Sequence, residues 1–146
     1  MYLRESIIIK AAPETVYNVV SNYLEWPNYL SVNKYVRRLY TDGDCEVYLV
    51  KHMVGKKTEA SQCRRRNLPP SMIEFELDNK FFEHLEGSWI INKISEKRTE
   101  LISIHYGTAK IKHGKKIVEK IISEFFFKKT TPVTLKELKE ECEKCS

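Results

Sequence analysis

The segment "KTEASQCRRR" (57–66) concentrates cationic and hydrogen-bonding groups in a stretch that reads as a β-strand between two turn signals. Side chains alternate across a strand, so Thr58, Ala60, Gln62, Arg64 and Arg66 share one face, and Glu59, Ser61, Cys63 and Arg65 the other. Neither face is apolar. Leu68 has the even parity, which assigns Gln62 and Arg64 to the dry side, although a bulge would reverse the choice. An inward guanidinium needs an acceptor, so Arg64 would call for a carboxylate or an enolate-like oxygen. The alternative is a solvent-facing strand with the Arg stems lying along the surface.

A second candidate is His105 in "LISIHYGTAKI" (101–111), where Leu101, Ser103 and His105 share one face and Ile102, Ile104 and Tyr106 the other. Hydropathy alone turns the isoleucine face inward. An inward His105 would be a general base near neutral pH or a satisfied hydrogen-bonding group, and no nucleophile, metal set or carboxylate pair converges on it in sequence. His52, His84 and His113 flank turns or surface runs and are expected in solvent. Trp89 follows Gly87 by two and shares its face. A strand-interior glycine marks a bulge or a close backbone approach, so Trp89 serves core packing, ligand stacking or both. Cys142 and Cys145 form a C-x-x-C, but no second pair completes a four-ligand zinc site, and neither metal nor cofactor is expected.

The elements that must position these groups follow from pattern. Six consecutive antiparallel strands are predicted in "VNKYVRRLY", "CEVYLVKHM", "KTEASQCRRR", "MIEFELD", "EGSWIINKI" and "ELISIHYGTAKI", separated by Asp-Gly, Gly, Pro-Pro and polar turns. Ile73, Phe75 and Leu77 alternate with Glu74, Glu76 and Asp78, which demands one dry and one wet face. "YLRESIIIK" reads as a seventh strand, and "APETVYNVVSNYL" as a helix opened by Pro13 with Glu14 in its first turn. After Gly114, Ile117, Val118, Ile121, Ile122 and Phe125 form the apolar face of a long helix, which Pro132 breaks or kinks before Leu135 and Leu138 resume it. The last residues, "EECEKCS", offer no apolar group beyond their thiols and are expected to be dispensable.

A curled antiparallel sheet closed by that helix is the solution such a pattern allows, and it leaves a cavity between the two. The 146 residues fit one domain, spanning 1–146, and a chain of this length buries roughly 70% of its unfolded surface. With 42% hydrophobic and 31% charged residues it has an ordinary globular composition. No apolar run is long enough for a transmembrane helix and no signal peptide is legible, which makes the cytoplasm the expected compartment. The net charge of +5 is a mild excess that argues against a dedicated DNA interface. "RRR" (64–66) and "KIKHGKK" (110–116) read either as solvated edges or as a basic patch for ribosomal RNA or acidic lipid, so transient membrane contact stays open.

The run Ile9, Ala12-Pro13, Val16-Tyr17, Val20, Trp26-Pro27, Tyr29-Leu30 resembles the N-terminal signature of the START-like, polyketide-cyclase superfamily (SRPBCC). The segment from "NLPPSMIEFELD" through "LEGSWIINKI" to "TELISI" resembles the same superfamily's double-Pro hairpin, Leu-x-Gly-x-Trp strand and Thr-led last strand, in the same order. The likeness covers nearly the whole chain and is nearest to the polyketide cyclase/dehydrase and coenzyme-Q-binding branch. It implies the α+β helix-grip fold, with seven curved antiparallel strands around a C-terminal helix and two short helices after the first strand. It also implies that "EWPNYL" (25–30) forms the second short helix, plugging one end of the grip, and that Leu101 and His105 turn inward.

Together these readings give an expected ligand-lining set of Gln62, Arg64, Phe75, Trp89, His105, Ile121 and Phe125. The expected function is binding or transport of a hydrophobic small molecule: a lipid, an isoprenoid quinone or a polyketide-like aromatic. The alternatives are a cyclase, aromatase or dehydratase that orients a flexible polyketone, and a ribosome or protein interaction module.

Overall fold

The computed structural model describes residues 1–78, 80–111 and 113–145, with the side chain of Phe125 outside the described set. The chain runs β1 (Tyr2–Ile9), α1 (Pro13–Ser21), a 3-10 helix (Tyr23–Asn28), β2 (Asn33–Asp42), β3 (Cys45–Val54), β4 (Lys57–Leu68), β5 (Met72–Asp78), β6 (Phe82–Ser95), β7 (Arg98–Ala109), α2 (Lys115–Ile122), a π-helical turn (Ser123–Phe127) and α3 (Lys128–Lys144). All seven strands form one antiparallel sheet in the order β1-β7-β6-β5-β4-β3-β2. This is the expected helix-grip architecture.

Pro13 starts α1, where its missing N–H costs nothing, and Val16 and Val20 are buried one turn apart. Pro27 lies inside the 3-10 helix, whose tight turn drives Trp26 into the core while Tyr29 Oη donates to the Val19 carbonyl at 3.1 Å. Trp26 meets Trp89 edge to face, with ring centres 6.2 Å apart, so the corner seals one end of the sheet with aromatic area. The main core gathers Ile9, Val16, Val20, Leu30, Ile73, Ile91, Leu101, Leu135, Leu138 and Cys142 between the sheet, α1 and α3.

Two expectations about the C-terminal region are corrected. The helix continues through Pro132, which lies early in α3, and the irregular turn comes earlier, at Ser123–Phe127. Pro132 cannot donate to the carbonyl four residues back and its ring crowds it, so a wide turn immediately upstream takes up the misfit. The tail is also packed. Cys142 is fully buried in the main core, and the Glu143 carboxylate accepts the Lys10 backbone N–H at 3.0 Å. A thiol behaves as a small hydrophobe, so Cys142 alone is enough to seat the tail in the core.

Candidate functional site

Between the concave sheet and the C-terminal helices lies a cavity of about 380 Å³, within the range of small-molecule sites. Its deep wall is built from the inward residues of β3 and β4. Tyr48 pairs with Cys63 and Val50 with Ser61 across these strands, without a bulge, and Arg65 continues the same face. On the other side of β4, Cys63 lies opposite Leu77 and Arg65 opposite Phe75. The dry face of β5 was evident from its alternation. Its register therefore carries Ser61, Cys63 and Arg65 inward.

Gln62 and Arg64 accordingly point away from the cavity, against expectation. Arg64 is 41% exposed and its Nη2 donates to Asp42 Oδ2 at 2.7 Å. Leu68 was the wrong guide, because it ends the strand at the Pro-Pro turn and is only half-buried.

Among the described residues Arg65 is the largest fully buried side chain, 1% exposed. Its Nη1 donates to the carbonyls of Ser21 at 3.2 Å and Val20 at 3.4 Å, the C-terminal carbonyls of α1, where the helix dipole is negative. The guanidinium lies over the rings of Tyr23, Trp26 and Tyr48, with its central carbon 4.7, 5.1 and 5.3 Å from the ring centres. Tyr23 and Tyr48 stack at 4.1 Å, completing the box. Arg65 Nε and Nη2 nevertheless have no hydrogen-bond partner, and neither do Ser61 Oγ and Trp26 Nε1, on two further cavity-lining residues. Among the described residues no carboxylate lies within ion-pair distance of Arg65. Such a cluster of unsatisfied buried groups offers hydrogen-bonding positions to a polar ligand atom or water.

Cys63 Sγ donates to Tyr48 Oη at 2.9 Å. Burial pushes the Cys63 thiol up to about 11 and the Tyr48 phenol well above its ordinary range, although the Arg65 charge opposes both shifts. Both groups stay protonated at neutral pH, so Cys63 is a poor nucleophile.

His105 occupies the opposite wall. Leu101, Ser103 and His105 face inward and Ile102, Ile104 and Tyr106 outward, as the family resemblance implied and hydropathy did not. The imidazole packs against Phe127 at 4.9 Å and Phe75 at 5.5 Å, with its Nδ1 3.4 Å from Ser103 Oγ. Burial lowers its pKa to about 4, so it is neutral at pH 7. Arg65, Phe75, Gly87 and His105 form one row across four adjacent strands, which separates Arg65 from His105 by about 14 Å along the sheet. Gly87 is a close approach, not a bulge, because the Phe75 ring and the Ile104 carbonyl occupy the space a side chain would need.

Phe75 and Trp89 line the cavity as expected, and Ile121 lines its mouth while remaining 50% exposed. The expected role of Phe125 falls on a side chain outside the described residues. Sequence reasoning missed Tyr48, Ser61, Cys63, Arg65, Phe127 and His52. His52 is not the solvent-exposed turn histidine expected, since it lines the cavity 6.0 Å from Phe126 and burial lowers its pKa. No trio of His, Cys, Asp or Glu suited to a metal occurs among the described residues. No described helix is long and apolar enough to cross a membrane.

Similar folds occur in solved structures. The Zhui aromatase/cyclase from Streptomyces sp. R1128 is 15% identical with a TM-score of 0.88, covering 98% of this chain and 93% of that one. A START superfamily protein from Mycobacterium smegmatis is 18% identical with a TM-score of 0.80, covering 99% of both chains. Norcoclaurine synthase from Thalictrum flavum, in complex with dopamine and hydroxybenzaldehyde, is 7% identical with a TM-score of 0.78, covering 100% of this chain and 88% of that one. At such identities the likeness is one of fold. Comparison with the curated proteins finds no sequence match. The sequence pattern of the family described as polyketide cyclase / dehydrase and lipid transport, however, matches residues 9–136, and the chain belongs to that family.

Proposed function

We propose that the chain binds a hydrophobic small molecule with an oxygen acceptor at one end, and that Arg65 holds that oxygen. A lipid, an isoprenoid quinone or a polyketide-like aromatic has this chemistry. The observation that carries the reading is the buried guanidinium, whose Nε and Nη2 lack acceptors beside an apolar cavity. A buried cation is costly until a ligand oxygen meets it, so the donors favour molecules that end in a carbonyl, carboxylate or phenol. The apolar body would lie along Phe75, Leu77, Leu85 and Trp89.

The test is to compare an alkyl carboxylate and a ketone with a plain hydrocarbon probe on Arg65→Met. Affinity for the oxygenated ligands is expected to fall about 10- to 100-fold, the loss of one or two charge-assisted hydrogen bonds, with little change for the hydrocarbon. Arg64→Met, in solvent, should change neither. Equal losses for both ligand classes, or none, would refute the assignment. Native mass spectrometry of gently purified protein would reveal a co-purifying ligand.

A second reading, a cyclase or dehydratase, is favoured by one observation: a neutral imidazole shares the cavity with the guanidinium. Arg65 would anchor one carbonyl of a long polyketone while His105, about 14 Å along the row, takes a proton from a carbon farther down the same chain. Conversion of a linear polyketone to a cyclised product, abolished in His105→Phe with binding retained, would establish it.

A further inference from the structure

The mouth of the cavity is bordered by the β3–β4 turn through Val54 and Gly55, the β5–β6 turn through Phe81, and α2 through Ile121. Lys110 N–H donates to the Phe81 carbonyl at 3.2 Å, which joins the approach to α2 to the same rim. Apolar groups stand out here. Ile117, one helical turn before Ile121, is 68% exposed, and Phe81 is 42% exposed. Val118 and Ile122 are half-buried on the inner side of α2, and no residue of that helix is fully buried.

The sequence segments that contribute to this rim also carry the excess charge of the chain. In sequence, segments 54–59, 78–84 and 110–129 carry ten lysines, no arginine and five acidic residues. Their excess equals the net charge of +5 of the whole chain, so the remaining residues sum to zero. Isoleucines on a helix flanked by lysines suit a bilayer interface, where aliphatic side chains enter the acyl boundary and the long Lys stems reach anionic headgroups. The other macromolecular partners fit less well. RNA is held by arginine and stacking aromatics, whereas the exposed side chains of α2 are aliphatic and lysine. Lysine is depleted from the centres of protein interfaces.

We propose that the protein docks through this rim on an anionic lipid surface, with Ile117 and Ile121 entering the headgroup region and the cavity mouth facing the bilayer. The proposal deepens the ligand reading, on which it rests for its purpose, by naming a bilayer as the source or destination of the ligand.

Vesicle co-sedimentation of the ligand-free full chain tests it. Vesicles of phosphatidylcholine with about one-third phosphatidylglycerol should bind at least about tenfold more strongly than pure phosphatidylcholine, and 0.5 M salt should remove the difference. Ile117→Ser, at an exposed position outside the cavity lining, should weaken anionic binding several-fold. Lys116→Glu combined with Lys120→Glu should weaken it about tenfold or more, with unchanged melting for both variants. Arg65→Met should dock like the unaltered protein, which separates failure of docking from failure of the ligand reading. Equal binding to both vesicle types, or anionic binding indifferent to Ile117→Ser and to charge reversal, would overturn the proposal. Binding to single-stranded RNA stronger than to anionic vesicles, and insensitive to Ile117→Ser, would overturn it in favour of a nucleic-acid partner.

Discussion

Replacing Gly87 by alanine would put a Cβ 2.2 Å from the Ile104 carbonyl oxygen and 2.5 and 2.9 Å from Cζ and Cε2 of Phe75. The carbonyl belongs to the backbone of the neighbouring strand and cannot retreat without parting β6 from β7. The Phe75 ring is held between Trp89, at 6.5 Å, and His105, at 5.5 Å. Overpacking of a filled core costs about 1–3 kcal/mol, and a weakened ladder hydrogen bond adds about 1 kcal/mol. Alanine recovers about 0.4–1 kcal/mol by restricting the unfolded chain. The net expectation is a loss of about 2 kcal/mol, or a melting temperature lower by about 6 °C at roughly 3 °C per kcal/mol. Gly107→Ala is the control. Its Cβ would come within 3.0 Å of side-chain atoms of Leu85 and Phe82, which can shift, so its loss should stay near about 1 kcal/mol. Urea unfolding of both variants measures the difference, and binding of an apolar fluorescent probe reports whether Phe75 has swung into the cavity. A Gly87→Ala protein melting within about 2 °C of the original, or Gly107→Ala being the more damaging, would refute this account of the row.

Deleting residues 140–146 should destabilise the fold by about 2–4 kcal/mol, because it removes the buried Cys142 and the Glu143 acceptor of the Lys10 N–H, and unchanged urea unfolding would contradict this. His105 should make stability depend on acid. Its folded pKa of about 4 lies below the unfolded value, so its contribution is complete above about pH 6.5 and is lost as pH falls toward 4, by at most about 3 kcal/mol. His52, also shifted down by burial, acts in the same direction, and His105→Phe should flatten the stability profile measured by denaturation between pH 4 and 7 without abolishing its slope.

Much of the architecture is legible in the sequence because its signals are local: Pro13 opens a helix, Asp-Gly turns a hairpin, and Ile73, Phe75 and Leu77 alternate with acids. The site is less legible, for the same reason. Strand β4 carries polar groups on both faces, so its inward side is decided by its neighbours. The Leu68 to Met72 pairing across the Pro-Pro turn puts odd residues opposite odd ones, and so sets Arg65 beside Phe75. Counting through that turn from the dry face of β5 would have found Arg65. The acceptors of its Nη1 lie more than forty residues away at the end of α1, a contact no local pattern contains. In β7, outward Ile102, Ile104 and Tyr106 outweigh inward Leu101, Ser103 and His105 in hydropathy, because a cavity wall tolerates polar groups where a filled core would not.

The π-helical turn at Ser123–Phe127 divides the work of the C-terminal helix. One extra residue per turn rotates everything beyond it by about a third of a revolution, so α2 and α3 need not present their faces along a common line. Segment α3 buries Thr131, Thr134, Leu135, Leu138 and Cys142, whereas α2 fully buries none of its residues. Structural responsibility is thus heavier beyond the turn than before it. Within α2, Glu119 still accepts the Ala109 N–H and pairs with the N-terminal ammonium, so exchanging the exposed residues around it between proteins of this architecture would alter what reaches the mouth while the scaffold behind the turn stays intact.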